Sequence, residues 1–170
     1  MTSVVEQHRA NAPRSVRVAV LTVSDTRTEA TDTSGALILA LVKAAGHVVV
    51  DRQIVADDRT AISRWLSACE ARGDVEAAIL TGGTGLSGRD VTPEAIEPRF
   101  TKSIPGFGEL FRSLSLAEIG SATIMSRACA GMVERMVLFA LPGSRAGVEL
   151  AMTRIIIPEL PHLVQQAQKS

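Results

Sequence analysis

One glycine-rich stretch, residues 81–94, contains the residue types best suited to chemistry in this sequence. It reads Thr-Gly-Gly-Thr-Gly-Leu-Ser-Gly-Arg-Asp-Val-Thr-Pro-Glu and follows an apolar run over residues 77–80 that is typical of a buried parallel strand. A loop with so few Cβ atoms lets a ligand approach the backbone, and its consecutive N–H groups can converge on phosphate oxygens. The alternative is a glycine-rich turn that binds nothing. The predicted anion-binding residues are Thr81, Gly82, Gly83, Thr84 and Gly85.

Two aspartates in separate polar loops could hold a cation beside this stretch. Asp90 lies within it, and Asp57 belongs to the polar segment of residues 56–60 that ends another apolar run. Carboxylates repel phosphates unless a cation lies between them, and Mg²⁺ characteristically binds through one or two carboxylates and substrate phosphate oxygens. The pair therefore predicts Mg-nucleotide chemistry, although each aspartate taken alone is more typical of a helix cap.

Two familiar phosphate-binding motifs do not fit the stretch. Residues 83–88 formally match G-x-G-x-x-G, but that dinucleotide fingerprint belongs to a first strand–helix turn whose helix opens among the glycines. Here the loop follows the third predicted strand, and the next helix waits until Pro93. The nucleotide-binding motif that closes on Gly-Lys-Ser/Thr is also missing, so neither motif explains the loop.

Alternating apolar runs and amphipathic segments position these loops. Strands are predicted over residues 16–23, 47–55, 77–80 and 136–141, with helical spacing between them and after the last. Such alternation requires right-handed crossovers and a sheet covered by helices on both sides. The sequence therefore predicts an α/β fold, a three-layer α/β/α sandwich with a mostly parallel central sheet.

Several local signals refine this prediction. Thr92 and Pro93 form a suitable N-cap and first-turn pair for a short helix, and Gly131 is expected to turn into the last strand. Trp65 and Cys69 share one apolar helical stripe, which indicates core positions. Pro158 should kink or restart the C-terminal helix because its ring removes an N–H donor.

The first and last predicted strands also end in polar turns. Ser24 and Asp25 follow the first strand, and residues 142–144 follow the last. In open α/β sheets, ligands bind beyond the carboxyl ends of the strands, so these turns are expected to meet the glycine loop. An ordinary turn closed by an Asx cap remains the alternative for the first of them.

Composition limits the other classes of function. The chain has 170 residues with 18 basic and 18 acidic side chains, so it has no overall charge that would favour nucleic acid or a membrane surface. Neither the two cysteines nor the three histidines show metal-site spacing, and no apolar run approaches the ~20 residues of a membrane span. We expect a cytoplasmic protein with a loose tail over residues 1–15 and a single domain over residues 16–170.

Several short motifs occur in a fixed order along the chain. They are Thr22-Val23-Ser24-Asp25, Thr-Gly-Gly-Thr-Gly at 81–85, Arg89 to Glu94, Pro105-Gly106-Phe107-Gly108-Glu109, Ser126-Arg127, and Leu141-Pro142-Gly143-Ser144. Together they resemble the MoaB/MogA family of molybdenum cofactor biosynthesis over about residues 16–165. The segments at 107–114 and 126–131 are more similar to the MoaB branch.

The resemblance implies a molybdopterin-binding domain that adenylylates molybdopterin with Mg-ATP and releases pyrophosphate. The two functional aspartates of the family match Asp90 and Asp57, with Asp58 as the alternative to Asp57, and we expect both to contact Mg²⁺. The residues expected to line the nucleotide and pterin subsites are Ser24, Asp25, Ser126, Arg127, Pro142, Gly143 and Ser144. Arg127 could instead be a structural charge.

The same resemblance leaves two other classes open. The chain could bind or carry molybdopterin without efficient adenylyl transfer, or it could act as a scaffold. The family also implies a homotrimer, or a hexamer of two trimers, and contact with other enzymes of molybdenum cofactor synthesis.

Overall fold

The predicted strands and helices occur in the predicted order in a computed structural model that describes residues 13–169. Residues 1–12 of the expected N-terminal tail lie outside the described residues. The strands are β1 (Arg17–Val23), β2 (Val48–Val55), β3 (Ala77–Thr81), β4 (Lys102–Ser103), β5 (Cys129–Val133) and β6 (Met136–Leu141). The α-helices are α1 (Thr33–Ala44), α2 (Arg59–Arg72), α3 (Thr92–Ile96), α4 (Pro105–Ile119), α5 (Arg145–Ala151) and α6 (Ile157–Gln168).

The strands form one sheet in the order β2-β1-β3-β6-β5-β4. The first four are parallel, and β5 and β4 are added as antiparallel strands at one edge. Thr22 in β1 lies beside Thr81 in β3, which in turn lies beside Leu141 in β6. The carboxyl ends of these central strands are therefore level, and the loops that follow them leave from the same edge of the sheet.

Helices cover both faces of the sheet. On one face α1, α4, α5 and α6 pack over residues such as Val20, Ile79 and Phe139, and on the other α2 and α3 pack over Leu21 and Leu80. Trp65 and Cys69 are each 3% exposed within the second cluster, which confirms their assignment to the core. The predicted three-layer α/β sandwich with a mostly parallel sheet is also confirmed.

The antiparallel edge differs from the sequence prediction. Gly131 does not turn into the last strand but lies in the middle of β5, opposite Leu138. A Cβ at Gly131 would lie 2.5 Å from the Phe100 ring, so the glycine lets that ring pack on the strand. The turn itself falls at Glu134, whose φ is +52°. The prediction placed the turn at the glycine. In the structure the glycine lies within a strand, and the turn contains a glutamate instead.

The short helix after the glycine loop also begins differently. The N-cap of α3 is Val91, and Thr92 lies inside the helix. The Thr92 hydroxyl donates to the carbonyl of Gly82 at 2.9 Å, so the expected cap instead ties the helix to the glycine loop. A 3₁₀ turn, Glu97–Arg99, follows α3.

The remaining helical segments meet or extend the predictions. A 3₁₀ segment, Gly120–Met125, continues α4, and a π-helical turn, Met152–Ile156, separates α5 from α6. Pro158 lies in the first turn of α6, so the helix restarts there as predicted. Across residues 13–169, no helix has the length and apolar character needed to span a bilayer.

Candidate functional site

A cavity of about 470 Å³ lies at the carboxyl ends of β1, β2, β3 and β6. Most of the predicted site residues line it, so the sheet brings together loops that are far apart in sequence. The predicted residues in its wall are Ser24, Asp25, Asp57, Gly82, Gly83, Thr84, Gly85, Asp90, Ser126, Pro142, Gly143 and Ser144. Two predicted residues, Thr81 and Arg127, are not in this wall.

Two glycines give the loop after β3 its shape. Gly82 and Gly83 have φ values of +102° and +63°, a region that side chains disfavour. A Cβ at Gly83 would overlap the Thr92 hydroxyl and lie 2.7 Å from Asp57 Oδ1, and one at Gly82 would overlap the Val23 carbonyl. These close approaches explain why the loop needs glycine at both positions.

The loop amides divide into two kinds. The Gly82 N–H donates to the Leu141 carbonyl at 3.0 Å and extends the pairing of β3 with β6. It is therefore not available to a phosphate, which corrects the prediction for that residue. Within the described part of the chain, the N–H groups of Gly83, Thr84 and Gly85 donate to no protein acceptor. These three amides fit the predicted anion cradle.

The structure separates the neighbouring aspartates Asp57 and Asp58. Asp58 is the N-cap of α2 and accepts from the Ala61 N–H at 2.8 Å. Asp57 faces the cavity, where its Oδ1 accepts from the Val91 N–H at 3.3 Å. Asp58 therefore caps α2, and Asp57 is the one of the two that lines the cavity.

Asp90 closes the far end of the glycine loop. Its Oδ2 accepts from the Ser87 N–H at 2.9 Å, and its own N–H donates to the Ser87 carbonyl at 2.9 Å. Its other carboxylate oxygen accepts no hydrogen bond from residues 13–169. Asp90 thus both shapes the loop and presents a free oxygen at the cavity.

The charged side chains that line the cavity are predominantly acidic. Burial raises the pKa of Asp57, and the charges of Asp90 and Asp25 raise it further, while the Val91 N–H and Arg89 oppose the shift. Among the lining residues described, Glu118 is the fourth carboxylate and Arg89 is the only cation. A polyanionic ligand would therefore meet net repulsion unless it arrived with a cation.

The carboxylates of Asp57 and Asp90 are compatible with a nucleotide-bound Mg²⁺. Within residues 13–169 no group of three or more His, Cys, Asp or Glu side chains is arranged to hold a metal ion. Mg²⁺ needs only one or two carboxylates when phosphates and water complete its octahedron. Asp57 and Asp90 each keep one oxygen that accepts no backbone hydrogen bond, so they fit such a donor set.

Hydroxyl groups hold the turn after β6 in place. Thr81 Oγ1 donates to the Pro142 carbonyl at 2.8 Å, and Ser34 Oγ donates to the Gly143 carbonyl at 2.9 Å. Thr81 is 1% exposed and thus supports the wall from behind. Ser144 caps α5 by accepting from the Gly147 N–H at 3.2 Å.

A second, mostly apolar wall of the cavity, which we call the apolar wall, was not predicted. Phe111 and Ile119 of α4, Met125 of the following 3₁₀ segment, and Leu150 line this side. Ser115 and Glu118 also lie on the cavity side of α4. The available signal was the helical stripe of Phe107 and Phe111, which turns polar one turn later at Ser115.

Comparison with known proteins identifies the family of the chain. Residues 19–162 match the family described as "Probable molybdopterin binding domain", which spans all the loops around the cavity. The chain belongs to this molybdopterin-binding family of molybdenum cofactor biosynthesis proteins.

Relatives of this family match over nearly their whole length. Molybdenum cofactor biosynthesis protein B of Halalkalibacterium halodurans is 52% identical over 166 residues, covering 97% of this chain and 98% of the relative. A crystal structure of molybdenum cofactor biosynthesis protein B has a TM-score of 0.90 at 45% identity, covering 94% of this chain and 100% of that one. The tungsten cofactor synthesizing protein MoaB of Pyrococcus furiosus has a TM-score of 0.82 at 36% identity, covering 93% and 100%. The resemblance to the MoaB/MogA family is confirmed.

Proposed function

We propose that the chain catalyses the Mg-ATP-dependent adenylylation of molybdopterin, with adenylyl-molybdopterin and pyrophosphate as products. The observation that supports this proposal is the meeting of two unlike groups in one cavity. The free N–H groups of Gly83–Gly85 suit phosphate oxygens, and the carboxylates of Asp57 and Asp90 suit the cation that accompanies a triphosphate. Membership of the molybdopterin-binding family supports the pterin as second substrate.

The proposed reaction exchanges one phosphorus–oxygen bond for another. An oxygen of the terminal phosphate of molybdopterin attacks the α-phosphorus of ATP and forms a new bond. The bond to the bridging oxygen breaks, and pyrophosphate leaves with that electron pair. A phosphate monoester is largely ionised at neutral pH, so no side-chain base has to activate the nucleophile. The protein must therefore position the two substrates in line and balance their charge.

The cavity residues provide these two functions. Asp90 and Asp57 would hold Mg²⁺ through the oxygens that accept no backbone hydrogen bond. Bound there, Mg²⁺ would neutralise charge on the phosphates. The amides of Gly83–Gly85 would orient phosphate oxygens, and the level strand ends would keep the cradle and the carboxylates at fixed separation.

The apolar wall would bind a planar ring of one of the substrates. Ile119 and Met125 are 56% and 53% exposed, so they offer apolar surface that a planar ring could cover. Phe111 and Leu150 line the same cavity and are buried, with exposures of 2% and 8%. The two walls therefore match a ligand that has a charged phosphate end and a flat, less polar end.

A product assay with purified protein tests the proposal. Protein, molybdopterin, ATP and MgCl₂ are incubated, and adenylyl-molybdopterin and pyrophosphate are quantified, with EDTA replacing MgCl₂ in the control. We expect the two products in equal amounts and none with EDTA. Equilibrium binding of molybdopterin with no product, even at high enzyme concentration, would contradict transferase activity and favour the pterin-carrier alternative.

A further inference from the structure

Arg127 lies outside the cavity, yet it contacts both ends of the loop that bears Asp90. Its Nε donates to the Gly85 carbonyl at 2.9 Å, and its Nη2 donates to the Asp90 carbonyl at 2.9 Å. Its backbone N–H donates to the Thr84 carbonyl at 3.3 Å. One residue from the segment before β5 therefore holds a loop that lies about 40 residues earlier in the chain.

The third nitrogen of the guanidinium contacts the helix that follows the loop. Nη1 of Arg127 forms an ion pair with Glu94, which lies in the first turn of α3. The hydrogen bond that the Arg127 side chain donates to Glu94 is the main cause of the lowered pKa of Glu94. The planar guanidinium thus joins the start of the loop, its end and the next helix, and each of its nitrogens has a protein partner.

The loop held in this way is also closed on itself. Ser87 and Asp90 exchange hydrogen bonds through the Ser87 N–H, the Asp90 carboxylate and the Asp90 N–H. The tip between them is exposed and lies over open space at Gly88. Without the two carbonyl contacts from Arg127, this small ring could pivot and carry the Asp90 carboxylate with it.

We propose that Arg127 is a positioning residue, which holds the carbonyls of Gly85 and Asp90 and so fixes the direction of the Asp90 carboxylate into the cavity. This assignment replaces direct ligand contact, because the guanidinium nitrogens are engaged behind the loop and Arg127 does not line the cavity. Its kinetic consequence rests on the proposed adenylyl transfer, whereas its structural consequence does not.

Arginine is required here for a geometric reason. A guanidinium presents several N–H donors in one rigid plane and can serve two carbonyls and a carboxylate together. A lysine ammonium keeps the charge beside Glu94 but concentrates its donors on one atom. Arg127→Lys should therefore retain the ion pair and lose at least one carbonyl contact.

Arg99 offers a matched control within the same chain. It donates to the Ser63 carbonyl and the Ser67 hydroxyl at 3.0 Å each, and it forms an ion pair with Glu70. Its side chain is 26% exposed, against 29% for Arg127, and it does not line the cavity. Arg99→Lys should lose a comparable set of contacts without moving the Asp90 loop.

The experiment compares wild-type protein, Arg127→Lys and Arg99→Lys by three measurements. NMR solvent exchange at the Ser87 and Asp90 amides reports loop order, and titration with MgCl₂ at fixed ATP reports nucleotide binding. Initial rates of adenylyl-molybdopterin formation report catalysis. Thermal unfolding verifies that all three proteins are folded. A fourth protein, Arg127→Ala, is assayed with and without millimolar guanidinium.

We expect Arg127→Lys to increase amide exchange at Ser87 and Asp90 and to raise the Mg²⁺ concentration for half-maximal ATP binding. A carboxylate displaced by about 1 Å should lower the turnover number by about 10²-fold. Arg99→Lys should resemble wild type in all three measurements, and guanidinium should partly restore Arg127→Ala.

Two results would overturn the assignment. If Arg127→Lys and Arg99→Lys have the same amide exchange and Mg²⁺ dependence, Arg127 does not position the loop. If Arg127→Lys loses ATP binding while amide exchange is unchanged, Arg127 contacts the ligand directly. If wild-type protein forms no product, the proposed reaction fails, and the exchange and binding measurements still decide the role of Arg127.

Discussion

The cavity has a polar wall, formed by the loops after β1, β2, β3 and β6, and an apolar wall, and the two are built in different ways. Hydrogen bonds hold the polar wall, since hydroxyls of Thr81, Ser34 and Thr92 anchor carbonyls of its loops. The apolar wall presents Ile119 and Met125, whose side chains are more than half exposed. Under the proposed function, the hydrogen-bonded wall would orient the phosphates and the exposed apolar wall would bind the ring.

The largest effect should come from removing charge on the polar wall. Asp90→Asn keeps an oxygen that can accept from the Ser87 N–H but loses the carboxylate charge. We expect initial rates to fall by about 10²–10³-fold, as when other preorganised charge-stabilising groups are removed, with little change in thermal unfolding.

Asp74→Asn is a suitable control for Asp90→Asn, because Asp74 pairs with Arg72 and Arg17 and does not line the cavity. Its rates should remain at the wild-type level. If Asp90→Asn retained both its turnover and its Mg²⁺ dependence, Asp90 would shape the loop only, and the proposed division between the walls would fail.

A steric change in the polar wall should have the next largest effect. Gly83→Ala places a Cβ against Thr92 and Asp57 at a positive φ, so the loop must shift. We expect a loss of about 1–3 kcal/mol in the free energy of unfolding, measured by urea titration, together with weaker ATP binding. Gly106→Ala is the control, because a Cβ there meets nothing within 4 Å.

A change in the apolar wall should alter binding more than catalysis. Ile119→Ser removes apolar surface that a ring would cover, which we expect to raise KM for molybdopterin by about fivefold, with the turnover number unchanged. Leu110→Ser is the control, since Leu110 is exposed on the same helix but does not line the cavity. Sedimentation velocity checks that assembly is the same in both. A fall in the turnover number as large as that of Asp90→Asn would remove the distinction between the walls.

The smallest kinetic effect is expected for Asp58, and it should distinguish this residue from its neighbour Asp57. Asp58→Ala removes the cap of α2 and should lower the free energy of unfolding by about 1 kcal/mol, with rates unchanged. Asp57→Asn should show the converse, with slow turnover and nearly normal stability. Urea titration and initial rates of both variants provide the test, and a loss of activity in Asp58→Ala alone would reverse the assignment.

Most of the predicted polar residues line one cavity, because the signals that identify them are local. Glycine at 82 and 83, and aspartates after apolar runs, identify strand ends without knowledge of their neighbours. The choice between Asp57 and Asp58 needed the structure, since both follow β2 and only backbone direction decides which one caps α2. The sequence also could not show that the Gly82 N–H donates to the Leu141 carbonyl, because that bond depends on strand pairing.

The apolar wall could not be predicted in the same way. Phe111 and Ile119 have the helical spacing of ordinary core residues, and only packing against the sheet determines that one end of α4 reaches the cavity. Arg127 likewise carries no local sign of its partners, which lie on a loop far back in the chain. Sequence reasoning therefore missed the apolar wall, and it named Arg127 without identifying the partners of its side chain.

The hydrogen bond from the Gly82 N–H to the Leu141 carbonyl has a consequence for affinity. Because this bond belongs to the sheet, the conformational entropy of Gly82 is lost when the protein folds. A ligand that binds at the next three amides does not have to order this end of the loop again. Binding therefore costs less conformational entropy than it would for a loop that becomes ordered only when the ligand binds.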